Sequence, residues 1–229
     1  IVLVKNPINP DLDLWIGAIE RLHKKGVKNL GAIHRGFSTF RKTNYRNIPS
    51  WQIPIDLMSK YPTLPIINDP SHICGNREGI FDVSQTALDL KMDGLIIETH
   101  CNPDEAWSDA KQQIKPSRLI EIMADLKVRK PSFEKEESVS ALNALRQEIN
   151  AKDDQLLETL SERMLIVDNI GKAKKASNVA VLQNSRWHEI LEKVVEKGEE
   201  HGLSKTFIEK IFKAIHEESI AHQENIING

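Results

Sequence analysis

IINDPSHICG, residues Ile66–Gly75, begins apolar and β-prone and turns polar at Asn68-Asp69-Pro70-Ser71-His72. A short apolar run of this kind reads as a buried parallel strand that gives way to a loop. In parallel α/β folds, ligands and catalytic groups collect outside the carboxyl ends of the strands. Three further segments end in the same way: Val2–Lys5, Asn29–Arg35 and Gly94–His100. One such segment could be a strand running into a solvated loop. Four in series predict a shared functional rim.

Working outward, Ile1–Lys5 reads as a continuously apolar, buried strand. Leu12–Lys25 places Leu14, Ile16, Ala18, Ile19 and Leu22 at helical spacing, with Gly26 as its C-cap. Val27–Ile33 is the second predicted strand, Ile53–Ser59 a short helix and Pro65–Asn68 the third strand. Ser84–Met92 reads as a helix, Leu95–Glu98 as the fourth strand and Pro116–Lys127 as a helix. Alternation of this type gives parallel strands with right-handed crossovers. A doubly wound sheet and part of a (β/α)8 barrel both fit. No GxGxxG or GxxxxGK[ST] loop is present, and four βα units are half of eight. The expectation is α/β plus all-α: the last four βα units of a TIM barrel, then a helical module. The apolar opening at Ile1–Val4 suggests a start inside a larger domain.

The formal charge is -2, from 31 basic and 33 acidic residues, which points away from a nucleic-acid partner. Cys74 and Cys101 form no extracellular staple pattern, so a reducing, cytoplasmic setting is expected. No apolar run approaches a membrane span, and no signal peptide is visible.

The boundary is expected at a linker over residues 129–138, which holds Pro131, Ser132 and the charged run Glu134–Glu137. It would separate a barrel half, residues 1–128, from a helical domain, residues 139–229. From Val139 the apolar positions Leu142, Leu145, Ile149, Leu156, Leu160, Val167 and Ile170 predict one amphipathic helix to about Lys175. Helices over Val181–Lys197 and Ser204–Ile227 come next, separated by Gly202, with Ser204 as an N-cap. Arg146, Arg163 and Lys174 sit in or beside the apolar stripe. At about 1.5 Å per residue, Arg146 and Arg163 are about 25 Å apart and cannot clamp one small anion from one straight helix. Two antiparallel copies could bring Arg146 of one chain to Arg163 and Lys174 of the other, which predicts a two-fold dimer. The plainer alternative is that these cations reach past the stripe to solvent or pair with Glu148, Asp153 or Glu162.

At the rim, His72, Glu98 and Asp109 combine one nitrogen with carboxylate oxygens, a donor set suited to divalent manganese, iron or zinc. Lys5 and Arg35, with Arg46 as a third positive group, offer cations for phosphate oxygens. The alternative for these cations is ion pairing with Glu98, Asp69 or Asp109.

The segments VKNPINPD, AIHRGFSTF, INDPSHICGNR and GLIIETHCNPDEAWSDAKQQI resemble the second half of the 3-deoxy-D-arabino-heptulosonate 7-phosphate (DAHP) synthases, in their smaller-barrel form. The resemblance covers roughly Ile1–Lys127. It implies condensation of phosphoenolpyruvate with erythrose 4-phosphate. A divalent metal (manganese, iron, zinc or cobalt) polarises the aldehyde, carbon 3 of phosphoenolpyruvate attacks, water adds at carbon 2, and inorganic phosphate leaves. It further implies His72, Glu98 and Asp109 as metal ligands, Lys5 as the active-site lysine of the fifth strand and Arg35 as a phosphate-binding arginine of the sixth. The family's fourth ligand is a cysteine from an earlier strand. Neither Cys74 nor Cys101 stands at that motif, so a chain with only these residues is expected to lack synthase activity.

The pattern LxxLRxEI…DxxLLxxLSERM…IGxxK…QxxRW…IHEESIxxQ, over Leu142–Gln223, resembles the all-helical chorismate mutases. That resemblance implies an intertwined homodimer, or a higher oligomer built on it, and the cofactor-free pericyclic conversion of chorismate to prephenate. By it, Arg163 and Arg186 hold substrate carboxylates within one chain, and Arg146 reaches across the dimer. Lys174 and Gln223 donate to the ether oxygen, and Gln183 and Ser219 lie around the hydroxyl and a carboxylate. Trp187 departs from the pattern, standing where several relatives carry a glutamate. The two resemblances together imply a bifunctional enzyme of the shikimate pathway. The alternative is that the helical module dimerises the chain and binds chorismate or prephenate as a regulatory ligand, with little turnover.

Overall fold

The computed structural model describes residues 1–40, 43–130, 132–133, 136–182 and 184–229. The chain divides into two compact units, Ile1–Ser132 and Phe133–Gly229.

The first unit is a partial β/α barrel. Its strands β1 (Val2–Lys5), β2 (Leu30–His34), β3 (Ile66–Asn68) and β4 (Gly94–Leu95) form one parallel sheet in the order β1-β2-β3-β4. The register pairs Lys5 with Ile33, His34 with Asn68 and Asn68 with Leu95, so the strands finish at a common edge. Helix α1 (Leu12–Lys24) is capped by the Asp11 carboxylate, which accepts from Leu14 N at 3.1 Å. It buries Trp15, Ile16 and Ile19 on the sheet, with Leu57 from α2 (Gln52–Lys60) in the same core. The first-half helices end with α4 (Ile80–Asp89) and α5 (Pro116–Asp125), whose Ile80, Val83 and Ile122 form a second cluster with Ile73 and Ile114.

Four expectations need correction here. β1 is not buried: Val2 and Leu3 are 39% and 38% exposed, because β1 is an edge strand paired on one side only. β4 is two residues long, not four, because β3 turns away after Asn68 and leaves residues 96–98 without a strand neighbour on that side. α4 begins at Ile80, not Ser84, since Ile80 and Val83 already sit on its buried face. The segment after β3, expected as a loop, is a helical turn, α3 (Pro70–Cys74). Asp69 caps it, Pro70 occupies its first turn, and Gly75 ends it at φ 65°.

The second unit is all-helical. α6 (Glu136–Ala176) is one continuous helix of 41 residues, and it takes in Glu136–Ser138 from the expected linker. Glu136 and Glu137 in its first turn favour that start through the helix dipole. Two more helices, α7 (Asn184–Glu200) and α8 (Lys205–Asn228), complete the unit, with Ser204 accepting from Phe207 N at 3.3 Å as the cap of α8. α8 lies along the C-terminal part of α6. Contacts from Arg163 to Ser219, Asp168 to His222 and Lys175 to Ile226 advance together, so the two helices run parallel there. Gly171 permits the approach: a Cβ on it would lie 3.3 Å from Ile226 Cδ1. On the N-terminal part of α6, Leu145, Ile149, Leu156 and Leu157 remain 56–65% exposed. No helix among the described residues is long and apolar enough to cross a membrane.

Candidate functional site

In the first unit the chemistry gathers at the carboxyl ends of the strands. Asp69, 2% exposed, stands between β3 and α3 and organises its neighbours. Its Oδ1 accepts from His72 N at 3.1 Å, and its Oδ2 lies 2.8 Å from His72 Nδ1 and 3.5 Å from Lys5 Nζ. The approach to Nδ1 is close but off the axis of a hydrogen bond. It turns the imidazole so that Nε2 faces Glu98, 3.8 Å from Oε1. A carboxylate behind a histidine is a common arrangement around metal ligands.

Glu98 is held from two directions. Its backbone N–H donates to Ser71 Oγ at 3.0 Å, and Gln112 Nε2 donates to its Oε2 at 2.8 Å. Gln112, 1% exposed, accepts at Oε1 from Arg46 Nη1, which also donates to Asp109 Oδ1, both at 2.8 Å. The Arg46 hydrogen bond holds the Asp109 carboxyl below the usual aspartate range. Asp109 adopts φ 50°, a left-handed conformation that aspartate tolerates. Arg77 fixes the loop that carries it, donating to Gln113 O, Ala110 O and Asp104 Oδ1 at 2.6–2.8 Å.

Ligand atoms of His72, Glu98 and Asp109 all lie within 4.8 Å of one another. One imidazole nitrogen and two carboxylate oxygens at this spacing fit a divalent cation, whose bonds of about 2.0–2.3 Å need only a slight closing of the set. Lys5 is paired with Asp69, as the plainer alternative has it, and Arg46 with Asp109. Arg35 differs: among the described residues no carboxylate pairs with its guanidinium. Its backbone is set by Asn6, whose Oδ1 accepts from Arg35 N at 2.7 Å and whose Nδ2 donates to Gly36 O at 2.8 Å. Beneath the rim, buried His34 contacts Pro49 O through Nε2 at 2.6 Å and Asn68 Nδ2 through Nδ1 at 2.9 Å. Burial depresses its pKa to about 4, so it is a neutral spacer at pH 7. Burial also pushes the Cys74 thiol up to about 12, far from a thiolate ligand.

Sequence reasoning does not single out Asp69, Asn6, Ser71, Arg77 or Gln112 as site residues. Asp69 and Asn6 did carry a signal, since each directly follows an apolar strand. A cavity of about 510 Å³ lies at the other end of the strands, lined by Glu20, Lys24, Lys28 and Tyr61 among others. Its acid is already engaged by Tyr61 at 3.0 Å and Lys24 at 3.6 Å.

In the second unit, α6 and α8 bring Arg163, Ser219 and Gln223 together. Arg163 Nη1 donates to Ser219 Oγ at 2.7 Å, and Ser219 Oγ donates to Ile215 O at 2.6 Å. Gln223 is buried one turn further on. Its Nε2 donates to Ser219 O at 3.1 Å, and its Oε1 has no partner among the described residues. Lys174 Nζ donates to Val181 O, in the α6–α7 connection. Arg146 and Arg186 are not drawn in; they contact Asn143 at 3.4 Å and Glu189 at 3.3 Å on their own helices. Gln183 lies outside the described residues.

Comparison with known proteins bears on both constellations. The family profile for chorismate mutase type II matches residues 145–224, and that for the DAHP synthetase I family matches residues 1–132. Phospho-2-dehydro-3-deoxyheptonate aldolase of Thermotoga maritima is 29% identical over 126 residues, 55% of this chain and 37% of that protein. The bifunctional chorismate mutase/prephenate dehydratase of Escherichia coli is 34% identical over 90 residues, 39% of this chain and 23% of that protein. A solved truncated form of the Thermotoga maritima 3-deoxy-D-arabino-heptulosonate 7-phosphate synthase superposes with a TM-score of 0.51 at 28% identity, covering 54% of this chain and 47% of that one. The chain thus spans well under two thirds of each of these relatives. With its profile accounting for more than half of the residues, the chain belongs to the DAHP synthetase I family.

Proposed function

We propose that the chain is part of a bifunctional enzyme, its helical unit rearranging chorismate to prephenate and its barrel unit contributing to DAHP synthesis. The observation that carries the first activity is Arg163. It is half-buried, bonded to the Ser219 hydroxyl, and has no carboxylate partner among the described residues. A half-buried guanidinium held by a hydroxyl and left without an anion is suited to bind one.

The reaction needs no acid, base or cofactor. As the carbon–oxygen bond breaks, negative charge grows on the ether oxygen. Fixed donors aimed at that atom stabilise the transition state more than the substrate. Gln223 retains a second amide N–H for this task, and Lys174 would exchange Val181 O for the ether oxygen. Arg163 and Arg186 would clamp the carboxylates and hold the compact conformer, which reduces the orientational cost. Arg146 stands 17 residues before Arg163 on the same helix, about 25 Å away by the helix rise, and so would serve a partner's site. The exposed Leu145, Ile149, Leu156 and Leu157 support a homodimer through α6.

In the barrel unit, His72, Glu98 and Asp109 would hold a divalent cation, which supplies Lewis-acid polarisation of an aldehyde carbonyl when bound. Arg35, unpaired among the described residues, and Lys5 would bind phosphate oxygens of phosphoenolpyruvate and orient it for attack by carbon 3. Asp69 would keep Lys5 and His72 in register throughout.

The test is consumption of chorismate by the full chain. Arg163→Ala leaves a carboxylate unpaired in a partly buried site, a cost of about 2–5 kcal/mol, so kcat/KM should fall by at least about thirtyfold. A wild-type chain without turnover, or an Arg163→Ala chain with unchanged kcat/KM, would remove the mutase reading.

A further inference from the structure

We propose that His216 is a further substrate-binding residue of the helical site: stacked flat on Trp187 and one turn from the Ser219 that Arg163 binds, it supplies an additional, proton-dependent positive charge to a dicarboxylate held by Arg163. The inference rests on the chorismate reading above and adds to it a residue pair to which no role has been given.

The two rings are 3.9 Å apart between centroids and 8° from parallel. His216 precedes Ser219 by one turn of α8, and Ser219 is the hydroxyl that Arg163 binds. Trp187 comes directly after Arg186 on α7. The stack therefore ties α7 to α8 beside the groups that would receive the substrate carboxylates. The charged groups that bear on the imidazole are Arg163 from α6 and Glu217 from its own helix. From α7 the facing group is the uncharged indole, while neighbouring Arg186 is turned toward Glu189 at 3.3 Å.

Burial, and then the Arg163 charge, push His216 toward its neutral form, with Glu217 opposing them. An anion on Arg163 cancels that repulsion, and an imidazolium lying on an indole face is well accommodated. Binding then draws a proton onto His216. By linkage, affinity rises as pH falls through the bound-form pKa and levels off below the free-form pKa, with a limit of one proton, or about tenfold per pH unit. The indole explains why this device works. A carboxylate in place of Trp187 would favour the charged imidazole before any anion binds, whereas stacking fixes the ring without adding charge.

The experiment is calorimetric titration of the full chain with prephenate, whose carboxylates stay ionised from about pH 5.5 to 8. Repeating it in two buffers of different ionisation enthalpy counts the protons taken up. Wild type should take up a fraction of a proton in the window between the free and bound pKa values of His216, and none at alkaline pH. His216→Asn should lose that uptake and bind more weakly at the acid end alone. A second measurement needs no change at His216. Imidazolium quenches stacked indole, so the emission difference between wild type and Trp187→Phe reports the titration, and prephenate should move its midpoint upward. Equal uptake by His216→Asn, or an unmoved midpoint, would overturn the proposal. Absence of binding at every pH would overturn the chorismate reading and this inference with it.

Discussion

Gln112 touches Glu98 with one end of its amide and Arg46 with the other, and Arg46 reaches Asp109. One buried side chain thus links Glu98, 14 residues earlier, to the turn that carries Asp109, whose carbonyl accepts from Gln112 N at 3.0 Å. Gln112→Leu keeps the volume and removes both contacts. It leaves Glu98 free to turn away from His72, so affinity for manganese should fall by about 10–100-fold. Calorimetric titration of the full chain with the metal alone reads the change, and an unaltered affinity would mean that the carboxylates hold themselves. His72, Glu98 and Arg35 were legible as rim residues because each stands just past an apolar run, and such runs end at one edge of a parallel sheet. Asp109 stands in a loop well past the last apolar run, so its residue type suggested a ligand while its position at the rim was less plainly marked. The bridging role of Gln112 was not legible: its partner Arg46 is 66 positions away. Only the fold makes that distance short.

Among elements, α3 carries a start signal in the sequence but no period. Asp69 with Pro70 after it is a helix-start signal, but five residues are too few to show a period. The long helix was found because its three- and four-residue spacing persists, and its start was set by propensity and capping, which fix ends only loosely. Gly198 shows what sequence periodicity leaves out. It lies inside α7, where glycine weakens a helix by about 1 kcal/mol relative to alanine. A Cβ there would sit 2.5 Å from Cγ1 and 2.8 Å from Cδ1 of buried Ile208, so close packing between α7 and α8 requires the glycine. Gly198→Ala should gain the propensity and lose more through overpacking, typically about 1–3 kcal/mol. Urea denaturation monitored by helical circular dichroism should show the helical unit melting earlier. A stabilised variant would mean that Ile208 simply changes rotamer.

For the whole molecule, the decisive question is which chain would complete each proposed mutase site. Mixing an Arg146→Ala chain with a Lys174→Ala chain provides the measurement. If Arg146 serves the partner's site, each mixed dimer has one site with both lesions and one with neither. Random exchange makes half of the dimers mixed, so activity should return to about one quarter of wild type. No return after verified exchange would place Arg146 at its own chain's site or at none. The four-strand sheet and the helical module were both legible because alternating and unbroken apolar periods differ so plainly. The exposure of β1 was not, since an apolar run states what a strand would bury without stating what lies beside it.

An unbroken α6 is also a ruler. Its 41 residues extend about 60 Å, and each residue added to it turns the rest of the helix by about 100°. Arg146 and Arg163 are thus fixed in phase as well as in distance. A loop between them would absorb one inserted residue with a local bulge. Here the same insertion, placed in the exposed stretch before Leu160, would swing Arg146 about a quarter of the way round the axis, and the apolar stripe with it. An insertion of seven residues would nearly restore the phase and lengthen the ruler by about 10 Å. The spacing of two active sites would then be written in the residue count of a single helix.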